Sequence, residues 1–318
     1  MDLSVVIPIK DEAESLADLF AEIVSAIEPT HYSYEVIIID DGSRDNSWDV
    51  LTSLISKYPF IRAFRFQFNC GKAAALSLGF SKAQGRYVAT LDGDLQDDPL
   101  EIPKMIRILE SGYDLVSGWK KRRHDPWHKT WPSKLFNFTV SFVCGQRLHD
   151  FNCGIKVYRN SVVRFIPLYG DFHRFIPVMA KWQGFRITEM PVAHRARVHG
   201  VSKYGVSRLV SGFLDLLTLL FLKSFGAKPL HFFGLVGLLF VFCGVGIFGY
   251  FGLEWLQTGA LRVRPLLLMG GFSLVMGVQF ISLGLLGEMM NQNKKQSYPV
   301  AEVLPEPKLP SENPYAVS

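Results

Sequence analysis

Tyr87-Val88-Ala89-Thr90-Leu91-Asp92-Gly93-Asp94-Leu95-Gln96 is an apolar run that closes on two carboxylates and an amide. The apolar part reads as a buried strand. Side chains two apart on an extended backbone point the same way, so Asp92, Asp94 and Gln96 can offer oxygens to one point. Such donors suit a hard divalent cation, Mg²⁺ or Mn²⁺, shared with substrate phosphates. An acidic turn opening the next helix, with Asp97, Asp98 and Pro99 at its start, fits the same residues. Spacing alone leaves both readings open.

Working outward, strand-like and helix-like segments alternate. Strands are expected over 3–9, 34–40, 61–66, 87–91 and 115–117, and helices over 12–27, 47–57, 72–83 and 99–111. This is the pattern of an α/β domain with a largely parallel sheet, in which ligands sit beyond the carboxyl ends of the strands. The polar clusters fall there: Lys10-Asp11-Glu12, Asp40-Asp41-Gly42-Ser43 and Asp92-Gly93-Asp94. Carboxylates repel phosphates unless a cation intervenes, yet they accept hydrogen bonds from a base or a ribose. A nucleotide diphosphate held through a cation meets both demands. A Walker loop and a Gly-x-Gly-x-x-Gly turn after the first strand are both missing, which argues against an ordinary ATPase or dinucleotide enzyme. Nothing in the pattern implies a nucleic acid partner.

The chain of 318 residues has room for more than this domain. Residues 232–251 carry no charge, and 266–287 have Gln279 and two serines as their notably polar side chains up to the closing turn, so both are long and apolar enough for membrane spans. Before them, 206–227 places Leu209, Phe213, Leu216, Leu217 and Leu220 at helical spacing against Arg208, Ser211 and Asp215. That suits a helix lying in the membrane interface, or a buried core helix. The expected organisation is a domain over 1–205, an interfacial helix over 206–227, a two-helix hairpin over 228–290 and a disordered Pro-rich tail over 291–318. The first residues form a strand-like run without a basic and apolar leader, so the domain is expected on the cytoplasmic side. Two spans put both termini there. Arg208, Lys223, Lys228, Lys294 and Lys295 agree, although Arg262 and Arg264 between the spans dilute the signal. Cys70, Cys144, Cys153 and Cys243 lack pairing or metal-ligand spacing, which fits a reducing compartment.

Val5-Val6-Ile7-Pro8, Glu12, Ile39-Asp40-Asp41-Gly42-Ser43 with Asp45, Asn69-Cys70-Gly71-Lys72 and Leu91-Asp92-Gly93-Asp94-Leu95-Gln96-Asp97 resemble the family 2 glycosyltransferases of GT-A fold. His149-Asp150-Phe151-Asn152-Cys153-Gly154-Ile155-Lys156-Val157, Phe172-His173-Arg174-Phe175-Ile176-Pro177 and Arg197-Val198-His199-Gly200-Val201-Ser202-Lys203-Tyr204-Gly205 narrow the resemblance. They are similar to the polyprenyl-phosphate glycosyltransferases, the group of dolichyl-phosphate mannose synthase and bactoprenol-phosphate glucosyltransferases.

The resemblance implies a nucleotide-sugar site of Pro8, Lys10, Glu12, Ile39, Asp41, Lys72, Asp92 and Gly93. It implies a divalent cation on Asp94 and Gln96, shared with Asp92, and an acceptor phosphate held by Lys120, Arg123, Lys129, Arg197 and Lys203. Asp94 and Asp150 are the implied catalytic residues, with Asp150 close to the attacking phosphate as base or orienter. A phosphate monoester is already largely ionised near neutrality, so alignment is the greater demand. Lys10 stands where the family commonly has an aromatic residue. Lys120 and Lys129 stand where it often has Arg, giving a point charge in place of a fork. The implied activity is inverting transfer of one sugar from a UDP- or GDP-sugar to polyprenyl phosphate, with membrane lipids as a further partner; the Gly-rich faces of the two spans leave packing with copies of the chain open. The competing readings are a processive polysaccharide synthase, for which a Gln-x-x-Arg-Trp motif is missing, and a non-catalytic membrane-anchored nucleotide-sugar-binding protein.

Overall fold

Leu3–Ile9 (β1) and Tyr34–Asp40 (β2) are apolar almost end to end, as strands covered on both faces must be. The computed structural model describes residues 1–121, 137, 139–141, 145, 148–168, 170–195, 207–259 and 264–292. They fall in two compact units, one within Met1–Lys203 and one within Tyr204–Gln296.

In the first unit the remaining elements follow in chain order. They are α1 (Leu16–Ile27), α2 (Ser47–Lys57), β3 (Ile61–Arg65), α3 (Lys72–Lys82), β4 (Tyr87–Thr90), α4 (Glu101–Glu110) and β5 (Leu115–Trp119), then β6 (Lys156–Arg159), α5 (Asn160–Phe165), α6 (Ile176–Trp182) and β7 (Ile187–Pro191). The strands form one seven-stranded sheet in the order β3-β2-β1-β4-β6-β5-β7. The β1–β2, β2–β3, β1–β4 and β5–β7 pairs are parallel, and β6 runs antiparallel to both β4 and β5. The expected sheet was largely parallel, and the reversed β6 is the departure. Its four residues, Lys-Val-Tyr-Arg, are too short and too basic at the ends to register as a strand.

One face of the sheet packs on α1 and α4 through Leu16, Phe20, Ile23, Ile102, Met105 and Leu109, all fully buried. The other face meets α3, where Gly79 lies so close to Val6 that a Cβ would stand 2.2 Å from Val6 Cγ1.

Two helices start later than expected. The N–H groups of Asp11, Glu12 and Ala13 are taken by Ser43 Oγ (2.9 Å), Ser47 Oγ (2.9 Å) and Asp45 Oδ2 (3.1 Å), so α1 opens at Leu16 instead of residue 12. Asp98 Oδ1 accepts from Leu100 N at 3.0 Å and makes a turn, so α4 opens at Glu101 instead of residue 99.

The second unit holds α7 (Ser207–Phe225), α8 (Pro229–Thr258) and α9 (Pro265–Gln292). The last two are long and apolar enough to cross a membrane, with mean hydropathy 2.4 and 1.9, and only 11% and 17% of those stretches is buried. A core helix would be covered by protein, whereas Leu239, Phe242, Leu256 and Phe272 are all exposed. The hairpin closes on a glycine seam. A Cβ on Gly237 would stand 2.7 Å from the Gly277 carbonyl, and one on Gly244 2.9 Å from the Gly270 carbonyl, so the backbones touch as small residues allow. These glycines are therefore used within the hairpin itself. In α7, Leu216 and Leu219 are buried while Phe213, Leu214, Leu217 and Leu222 are exposed, so its apolar surface is wider than one stripe. The tail from residue 293 lies outside the described residues.

Candidate active site

β1, β2 and β4 end side by side, and their loops interlock. Pro8 pairs with Ile39 and Ile9 with Asp40 across the β1–β2 ladder, so the expected nucleotide residues on these strands are neighbours. Asp11, in a left-handed conformation at φ 53°, accepts from Arg44 N at 2.8 Å. Ser15 Oγ donates to the Gly93 carbonyl at 2.6 Å and ties the start of α1 to the turn after β4. Glu12 lies on that same turn, 3.6 Å from where a Gly93 Cβ would be.

Asp40 and Asp41 split their work. Asp40 Oδ1 accepts from Ser43 N at 2.8 Å, and Oδ2 stands 3.2 Å from Arg65 Nε. Asp41 accepts from Cys70 N at 2.7 Å and Gly71 N at 3.0 Å, which pins the loop leading into α3. Burial raises the Asp41 carboxyl above its ordinary value, and those N–H groups and Lys10 only partly offset it. Lys10 lines a cavity of about 540 Å³ together with Ser43, Arg44, Arg65, Phe66 and Phe68.

The strand β4 ends at Thr90, and Gly93 and Asp94 lie on the turn that follows. Leu95 has φ 59°, a conformation uncommon for a side chain of its size, and the turn it makes brings Gln96 N to 3.3 Å from Asp94 Oδ1. The relation of Asp94 to Gln96 is thus set by a strained turn instead of by strand alternation. Among the described residues no group of three or more His, Cys, Asp and Glu side chains gathers where an ion could sit. A cation here would complete its sphere with Gln96, substrate phosphates and water, the habit of Mg²⁺ and Mn²⁺ at phosphate sites.

Asp92 faces inward. Its Oδ1 lies 2.5 Å from Lys72 Nζ, the first residue of α3, and both side chains are 30% exposed. Burial works to raise the carboxyl, but Lys72, Lys120 and Lys156 outweigh it and hold Asp92 at about 2. Its other oxygen packs on Gly154, where a Cβ would stand 2.6 Å from Asp92 Oδ2 and 2.8 Å from Asp97 Oδ2, so only glycine fits.

Asp97 joins four segments. Its Oδ2 accepts from Ile155 N at 3.1 Å, and its Oδ1 stands 3.0 Å from Lys120 Nζ and 3.7 Å from His194 Nδ1. Burial would raise this carboxyl, and His194 with Lys120 more than reverses it. Burial likewise pulls the Lys120 ammonium down, while Asp97 holds it well above its ordinary value. Next along, Arg195 N donates to the Gln96 carbonyl at 2.9 Å, and the Arg195 guanidinium bridges Glu22 (2.6 Å) and Asp98 (3.0 Å). In the sequence Asp97 stands at the end of the Leu91–Asp97 motif and as a helix-start residue but with no role in the site, because its partners come from the end of β5, the β6 approach and the segment after β7.

Asp150 is 1% exposed and accepts from Asn152 N at 3.0 Å. Its neighbour His149 stacks on Trp119 with centroids 4.1 Å apart, and Glu189 holds both the His149 backbone N–H (2.8 Å) and its Nδ1. Of the expected residues, Pro8, Lys10, Glu12, Ile39, Asp41, Lys72, Asp92, Gly93, Asp94, Gln96, Lys120 and Asp150 are all described and belong to this rim and the turns packed on it. Arg123, Lys129, Arg197 and Lys203 lie outside the described residues.

The glycosyl transferase family 2 profile matches residues 4–166. The chain is 38% identical to the dodecaprenyl-phosphate galacturonate synthase of Rhizobium johnstonii over 91% of this chain and 88% of that protein. It is 34% identical to the undecaprenyl-phosphate 4-deoxy-4-formamido-L-arabinose transferase of Pseudomonas syringae pv. syringae, over 91% and 86%. A glucosyl-3-phosphoglycerate synthase from Mycobacterium tuberculosis, solved with Mn²⁺, UDP and phosphoglyceric acid, shares the fold. Its TM-score is 0.54 at 15% identity, over 70% of this chain and 78% of that one.

Proposed function

This chain belongs to glycosyl transferase family 2, and from that premise we propose that it transfers a single sugar from a nucleotide sugar to a polyprenyl phosphate. The acceptor phosphate oxygen attacks the anomeric carbon, the bond to the nucleoside diphosphate breaks, and the configuration inverts. The products are a polyprenyl-phosphate sugar and a nucleoside diphosphate. The relatives' names support the acceptor class, and an apolar hairpin in one chain with a GT-A sheet suits a lipid-borne acceptor.

The observation that carries the reading is the meeting of Lys72, Asp92, the Asp94 turn, Asp97 and the Asp150 turn at the carboxyl end of the sheet. Pro8, Lys10, Glu12, Ile39 and Asp41 form the nucleotide side, with Lys10, Arg44 and Arg65 supplying donors to the adjoining cavity. Lys72 reaches the diphosphate from the first turn of α3, where the helix dipole also favours an anion. A divalent cation, Mg²⁺ or Mn²⁺, would be held by Asp94 and Gln96 with Asp92 behind them, and when bound it neutralises charge on the departing diphosphate. Asp150, buried and fixed by its own turn, aligns the attacking phosphate in preference to shuttling a proton. Lys120, Arg123, Lys129, Arg197 and Lys203 hold that phosphate, Lys120 from its seat on Asp97.

The hairpin spans the membrane with the catalytic unit and both termini on the cytoplasmic face, and α7 lies at the interface. The polyprenyl chain then remains in lipid while its phosphate enters the site. Asp94→Asn removes a cation ligand with little change in shape. The expected result is loss of metal-dependent transfer to a short polyprenyl phosphate by roughly 10³-fold, at unchanged thermal stability. A variant that keeps a tenth of the wild-type rate would remove Asp94 from the mechanism.

A further inference from the structure

β6 opens on Lys156, whose side chain is 4% exposed. A lysine buried to this degree gives up its hydration, a cost that an apolar residue of similar volume avoids. The ladder sets it between Thr90, the last residue of β4, and Ser117 in the middle of β5. From there its Nζ donates to the Cys153 carbonyl, while Thr90 Oγ1 donates to the Gly154 carbonyl at 2.8 Å. These bonds secure the turn from Asp150 to Gly154, and Gly154 is the residue pressed against Asp92 and Asp97. Burial pulls the Lys156 ammonium below its ordinary value, and Cys153, Asp150 and Asp92 oppose that pull. Of the other cations, Lys72 is paired with Asp92 and Lys120 with Asp97.

We propose that Lys156 is a positioning residue of the transfer reaction. It pins the Asp150–Gly154 turn against Asp92, and it supplies the buried positive charge that offsets Asp92 and Asp150 when a doubly charged phosphate enters beside them. The inference rests on the reading that Asp92 and Asp150 face the substrates. It assigns Lys156 no contact with either substrate. A purely architectural lysine at this position would behave differently, because replacing a buried charge by an apolar side chain of like volume is often neutral or stabilising.

The test uses the full-length protein in detergent or nanodiscs, with its own donor and a short polyprenyl phosphate. Lys156→Met is expected to lower kcat about 100-fold while both KM values stay within about threefold and Tm does not fall. Added to Asp150→Asn, the same substitution is expected to cost less than about threefold, since the two residues act as one unit. Lys156→Gln, which keeps a donor for the Cys153 carbonyl without the charge, covers the case in which the Met variant folds poorly. Its kcat per folded molecule is expected to stay at least about tenfold down. The proposal is overturned if Lys156→Met turns over within about threefold of wild type, if its effect adds fully to that of Asp150→Asn, or if kcat per folded molecule is unchanged in both variants. Absence of transfer by the wild type would instead sink the functional reading, and the Lys156 assignment with it.

Discussion

Both ends of the one sheet bury carboxylates, and they bury them differently. At the amino end, Glu35 is 3% exposed and its partners complete it: Ser4 Oγ (2.7 Å), Gln84 N (2.9 Å) and the Arg62 guanidinium (2.7 Å). Burial raises that carboxyl, the hydrogen bonds from Ser4 and Arg62 lower it, and the balance lies below the ordinary 4.5. This arrangement closes a loop between α3 and β4. At the carboxyl end, Asp92 and Asp97 face Lys72, Lys120 and Lys156, and the Lys72–Asp92 pair stays 30% open. Two non-glycine residues there, Asp11 and Leu95, hold left-handed backbone. The charge at the amino end is completed inside the fold, whereas the Lys72–Asp92 pair is left partly open and flanked by left-handed backbone.

Substitutions at the two ends should therefore fail in different ways. At the carboxyl end, Lys72→Met removes the charge we propose for the diphosphate and leaves Asp92 without its ion pair. Transfer is expected to fall by about 10²-fold, with a higher donor KM and little change in Tm. Unfolding of the variant would make Lys72 architectural and erase the contrast. At the amino end, Glu35→Gln should cost about 1–3 kcal/mol of stability by loosening a buried charged hydrogen-bond set, with kcat per folded molecule unchanged. Its pH dependence sharpens the point. Because the folded carboxyl lies below 4.5, its contribution is complete above that pH and is lost as the pH falls through the folded value. Denaturant melts of wild type and Glu35→Gln should differ near neutrality and converge in acid. Curves that stay parallel to the lowest pH would contradict the assignment.

The strands β1, β2 and β4 were legible because each is a dense apolar run followed by a polar turn, and residues such as Asp41, Asp92 and Asp94 announce themselves there. β6 was not, since two apolar residues between Lys156 and Arg159 carry no period, and its burial comes from neighbours far along the chain. Asp97 and Lys156 were missed as parts of the site for the same reason. Their meaning lies in partners such as His194, Lys120 and the Cys153 carbonyl, which only the fold brings close. The spacing argument kept Asp92 and Asp94 on an extended backbone, whereas Gly93 and Asp94 lie on the turn after β4. Past Asp94, the positive φ of Leu95 turns the chain and sets Gln96 N against the Asp94 carboxylate. The apolar hairpin was plain from length alone, but not that Gly237 and Gly277 would be used to bring α8 and α9 together.

The most direct test is to offer a panel of radiolabelled UDP- and GDP-sugars to membranes carrying this protein, with added polyprenyl phosphate, with and without a chelator. The account predicts that label from one donor enters the lipid fraction, that chelation abolishes incorporation and that Mg²⁺ or Mn²⁺ restores it. No incorporation from any donor, or incorporation indifferent to the chelator, would contradict it.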